Sequence, residues 1–152
     1  MTLPQLSQGP KADLNSPARV AVVMRGHLHD PQDLREVLKQ RGYLVKSQSD
    51  AELMAHLIDA VHQGNPVQAL HRALNMLTGI FSMGVMFHDH PDRLFAAQKG
   101  TSLHWGKGAT HMAWASEGAA MPSDTQTLGA LADGHVLDVH HHAEQIMHTM
   151  HP

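Results

Sequence analysis

Apolar residues change their spacing along this chain, and the change divides it into a helical part and a strand part. Val20 to Met24 is a short unbroken apolar run, which reads as a buried strand ending at a turn, Arg25-Gly26. Asp30 and Pro31 then give an N-cap and a first helical residue. Leu34, Val37 and Leu38 fall on one face, and Gly42 ends the helix. Tyr43 to Lys46 reads as a short strand. In "SQSDAELMAHLIDAVHQG" the stripe Leu53, Met54, Leu57, Ile58 and Val61 predicts a second helix, capped by Ser49 or Asp50 and ended by Gly64. A third is expected from Pro66 to Leu77.

Beyond that point the spacing alternates. Residues 81–87, 93–98, 103–106, 111–115 and 135–138 read as five strands, separated by "HDHPD", "QKGT", "GKGA", a loop around "AAMPSD", and "ADGH". Helices beside six or seven largely antiparallel strands make an α+β layered domain. It is placed at 19–140, after an extended Pro-containing arm at 1–18 and before a His-rich tail at 141–152 expected to fray.

Composition removes several function classes. The formal net charge of −3, with no Lys/Arg run, argues against a nucleic-acid partner. No apolar run is long enough to span a bilayer and no leader pattern opens the chain, so a cytoplasmic location without membrane attachment is expected. The 152 residues contain no cysteine, which excludes disulfides, thiolate metal sites and a cysteine nucleophile within them. Fifteen histidines are unusual, about twice the ordinary share or more.

Several phrases then occur together in one order: "AVVMRG", "LREVLKQRGY", "SQSDAELMAHLI", "LTGIFSMGVMFHDHPDRLFAAQKGTSL", "WGKG", "WASE" and "LADGHVLDV". From about Gly9 to His140 the chain resembles the glutaminase domain of glutamine–fructose-6-phosphate aminotransferase, a class II glutamine amidotransferase. The resemblance implies a partial N-terminal-nucleophile (Ntn) hydrolase-like sandwich. In that family the nucleophile is an N-terminal cysteine, and an Asn-Gly pair after the first strand here forms the oxyanion hole. Arg25-Gly26 stands at that pair, so the glycine is kept while a guanidinium replaces the amide. Asp50 matches the aspartate that holds the glutamine α-amino group. The family's cysteine strand and its carboxylate-gripping loop have no counterpart among these residues. Thr2 precedes a Pro-containing arm rather than a buried strand, and is not read as a substitute nucleophile. No catalytic residue is therefore expected.

Each of these residues also has a plainer reading. Arg25 is as well explained as a solvated surface side chain, Gly26 as a turn requirement, and Asp50 as a helix cap. The histidines allow a metal reading, with His27 and His29 two apart, His88 and His90 repeating that spacing beside Asp89, and His140 and His142 in the tail cluster. Imidazole-rich sites suit zinc, nickel or copper, although "HDHPD" also fits an ordinary hairpin turn. The leading expectation is a catalytically inactive, truncated amidotransferase-like module for binding or assembly, with no cofactor. Strand edges left open by the missing half would make it a homo-oligomer, or recruit a second polypeptide that completes the sheets. The alternatives are a split amidotransferase receiving its cysteine in trans, and a His-rich metal-binding protein.

Overall fold

The computed structural model describes residues 19–116, 120–142 and 145–152. The arm at 1–18 lies outside the described residues. Strand β1, Val20–Leu28, pairs antiparallel with β2, Gly79–Phe87, in unbroken register from Val20↔Phe87 to Leu28↔Gly79. The turn expected at Arg25-Gly26 is thus a correction: both residues lie inside the strand. Gly26 sustains this by taking φ +102° opposite Phe81, where an added Cβ would sit 2.1 Å from the Ile80 carbonyl oxygen. The glycine permits close backbone approach, not chain reversal.

Three helices follow: α1 Pro31–Gln40, α2 Asp50–Val61 and α3 Pro66–Met76. Their apolar stripes are the expected ones, and Leu53, Met54, Leu57 and Ile58 of α2 are fully buried. One start signal differs from expectation and one agrees. Asp30 adopts a left-handed backbone and makes no capping bond, while Ser49 caps α2 by accepting the Ala51 N–H at 3.2 Å. Tyr43–Lys46 is not a strand. The N–H groups of Lys46 and Ser47 are taken by the Glu52 carboxylate at 2.6 and 2.8 Å, which leaves no ladder to join.

Strands β3 His90–Lys99, β7 Val136–His142 and β8 Gln145–His151 extend the main sheet to the order β1-β2-β3-β7-β8, all antiparallel. One face carries the helices, over a core with Phe81, Val85, Phe87 and Phe95. On the other face lies a second sheet, ordered β5-β4-β6, built from β4 Leu103–Lys107, β5 Met112–Ala115 and β6 Thr127–Leu131. Leu103, Trp105 and Leu131 pack there on Ala96, Leu137 and Val139. The architecture is the α+β layered sandwich expected from the pattern.

The C-terminal residues do not fray as expected. Residues 145–151 form β8, registered on β7 from Val136↔His151 to His142↔Gln145. Ile146 packs on the second core, and the His148 ring lies 4.7 Å from Trp105. Partial burial of Ile146 and His148, on one face of β8, helps hold the strand in place.

Candidate functional site

Arg25 and Gly26 are neighbours in β1 but line different spaces, because alternation sends successive strand residues to opposite faces. Gly26 lines a cavity of ≈ 280 Å³ with Met24, His27, Gln48, Ser49, Asp50 and Ala51, where the end of β1 meets the start of α2. Two of the three residues singled out from the sequence, Gly26 and Asp50, therefore share one cavity. Asp50 is not the cap of α2. Its Oδ2 accepts the Leu28 backbone N–H at 2.9 Å and ties the helix to the strand end.

Arg25 lines a wider cleft of ≈ 420 Å³ between the two sheets, with Val23, Ser82, Gly84, Trp114 and Ser116. Its Nη1 donates to Ser116 Oγ at 3.3 Å. Val23 is 71% exposed here, and Ile80 and Met86 on β2 are about half exposed. Among the described residues β2 is the one strand paired with β1, so no strand covers the outer edge of β1.

The histidines distribute differently from the sequence expectation. Among the described residues one group could hold a metal ion, made by His62, Asp89 and His90. Of the six histidines named from spacing, only His90 belongs to it. His27 and His29 stay exposed at the end of β1, and His88 is exposed in the β2–β3 turn. His140 is paired opposite Met147 in β7, and the side chain of His142 lies outside the described residues. His62 was not legible as a partner. It follows the last residue of α2, and only the packing of α2 against the β2–β3 turn brings its Nε2 2.8 Å from Asp89 Oδ2.

The sequence matches the glutamine amidotransferase domain family over residues 3–145. This chain belongs to that family. It is 32% identical over 121 residues to the glutamine–fructose-6-phosphate aminotransferase of Bordetella pertussis (strain Tohama I), covering 80% of this chain and 20% of the relative. To the enzyme of the same name from Haemophilus influenzae (strain Rd) it is 35% identical over 127 residues, covering 82% and 21%. The chain thus spans about a fifth of the length of these relatives. Among solved structures, glutamine phosphoribosylpyrophosphate amidotransferase from B. subtilis superposes with a TM-score of 0.73 at 21% identity, over 91% of this chain and 30% of that one. A glutamine aminotransferase class-II domain protein from Silicibacter pomeroyi gives 0.61 at 19% identity, over 88% and 68%. The amidotransferase-like domain accordingly has the Ntn-hydrolase type of layered fold. No helix among the described residues is long and apolar enough to cross a membrane.

Proposed function

We propose that this amidotransferase-like domain is catalytically inactive and works as a cytoplasmic binding or assembly module. One observation carries the reading. The position corresponding to the family's oxyanion amide holds Arg25, whose guanidinium is engaged by Ser116 in the cleft between the sheets. The 152 residues also offer no thiol to attack a glutamine amide. An oxyanion donor alone is worth about 10²–10³ in rate, and without a nucleophile even that donor has no intermediate to stabilise.

The assembly half of the proposal is supported by the open edge of β1 and the exposed Val23, Ile80 and Met86 beside it. Unpaired strand edges next to apolar surface accept another strand, from a second copy or from a different polypeptide. Native mass spectrometry of the untagged chain with a glutaminase assay tests both halves. The expected result is an oligomer or hetero-complex that Val23→Lys weakens, with glutamate release no higher than the blank. A monomer at every concentration, or steady release of glutamate by the lone chain, overturns the proposal.

A second reading is supported by the cavity that Gly26 and Asp50 still share. It is a split amidotransferase in which a cysteine-bearing polypeptide completes the site in trans. Glutaminase activity confined to a complex with such a polypeptide would favour it over the inactive module.

A further inference from the structure

Turn His88-Asp89 and the C-cap of α2 meet at one corner of the main sheet, away from both cavities described above. The His62 ring is largely buried, with its centroid 4.8 Å from that of Phe87, and its backbone N–H donates to Asp59 O at 3.3 Å. His90 opens β3 opposite Phe87 in the ladder, so its backbone is fixed by pairing. Asp89 lies between the two imidazoles. Its Oδ2 is 2.8 Å from His62 Nε2, and its Oδ1 is 3.0 Å from His90 Nδ1. One donor atom from each residue lies within 4.8 Å of the other two.

A hydrogen-bonded clasp accounts for only half of this geometry. His62 Nε2 has hydrogen-bonding alignment with the carboxylate, but His90 Nδ1 does not. It is a buried nitrogen with no hydrogen-bond partner, held in close contact with a carboxylate oxygen. Two electron-pair donors that approach so closely without a proton aligned between them suit a cation bound by both. Tetrahedral zinc with ligand bonds of about 2.0–2.2 Å places its donors about 3.3–3.5 Å apart, so small side-chain rotations from the present separations suffice. His90 is held by the β2-β3 ladder and His62 directly follows α2, so two of the three donors are anchored to regular elements.

We propose that His62, Asp89 and His90 form a binding site for zinc(II). Two imidazoles and a carboxylate make a donor set that zinc accepts, and three protein ligands leave a fourth position for water or an external ligand. The half-exposed side of Asp89 gives access to that position.

Titration calorimetry of the untagged full chain with zinc chloride at neutral pH tests the site, with cobalt(II) as an optical substitute. The expected result is one equivalent bound above any weak surface binding, with a tetrahedral cobalt band in the visible. His90→Ala and Asp89→Asn should each weaken zinc by at least about tenfold and remove the band, while His141→Ala, at an exposed position near the end of β7, leaves both unchanged. His62→Gln should behave as His90→Ala does. Because His62 is packed on Phe87, circular dichroism must show that variant folded, and the Asp89 and His90 variants decide the matter without it. Zinc binding that is indifferent to His90→Ala and Asp89→Asn, or the lack of any saturable binding, overturns the proposal.

Discussion

Asp50 Oδ2 accepts the Leu28 N–H at 2.9 Å and so joins the first turn of α2 to the last residue of β1. The bond is part-buried, and Leu28 is the strand's final paired residue. Asp50→Ala should strand that N–H and cost about 1–3 kcal/mol. Asp50→Asn keeps an acceptor oxygen and should stay within about 1 kcal/mol of wild type. Urea denaturation gives the energies, and faster hydrogen exchange at the Leu28 amide in Asp50→Ala alone would locate the cause.

Gly26 and Gly42 both have positive φ, but their surroundings differ. A Cβ at Gly26 would meet the Ile80 carbonyl at 2.1 Å and Phe81 Cα at 2.8 Å, whereas one at Gly42 meets nothing within 4 Å. Gly26→Ala should destabilise by roughly 3 kcal/mol or more, because strain and backbone clash add. Gly42→Ala carries the strain alone, about 1 kcal/mol. Equal losses in parallel denaturation curves would contradict the close β1–β2 approach.

Tyr43 donates to Asp59 Oδ2 at 2.6 Å, and Arg19 grips the same carboxylate at 2.7 and 2.8 Å. Burial, with the Asp59 bond and charge, pushes the phenol well above its ordinary value, and Arg19 only partly opposes this. Above about pH 10 the unfolded chain loses this proton while the folded chain keeps it, so stability should fall as pH rises. Tyr43→Phe should remove that component of the slope. Tyr43 is the sole tyrosine, so tyrosinate absorbance should appear only as the protein unfolds.

Glu52 gives the opposite sign in acid. Burial alone would raise its pKa. The N–H groups of Lys46 and Ser47, the Ser47 hydroxyl and His56 outweigh that and lower it to about 2. Stability from this group is present above the ordinary carboxyl value of about 4.3 and is lost as pH falls toward 2. The side chain is partly solvated, so the loss should be about 1 kcal/mol. Denaturation midpoints of Glu52→Gln should vary less than wild type across that window.

The elements with a strong apolar period were legible from the chain itself. The α2 stripe and the β2 alternation fixed their buried faces without help from tertiary context. Strand β6 was missed because Gly129 breaks the apolar pattern of "TLGAL". The structure uses that gap, since a Cβ there would fall 2.5 Å from the Trp105 ring. The reach of β1 through Arg25-Gly26 was hidden for a similar reason: a glycine that ordinarily signals reversal here allows two backbones to touch. Gly26 and Asp50 were singled out by their places in a recognisable family order, and both line one cavity. His62 had no such guide, because its proximity to Asp89 depends on how a helix end lies over a hairpin 27 residues away.

The main sheet is not continuous in the chain. Strand β3 finds its neighbour in β7, with Ala97 opposite Val136, and the whole of β4, β5 and β6 intervenes. The β2-β3 and β7-β8 hairpins can assemble from nearby contacts, but all three helices separate β1 from β2, just as β4, β5 and β6 separate β3 from β7. Closing such a span is entropically costly and slows folding where distant pairings dominate. The joining of β1 to β2 and of β7 to β3 should therefore be the late events. Until they occur, the β2-β3 hairpin presents two unsatisfied borders, and a chain in that state is most exposed to pairing with the wrong molecule.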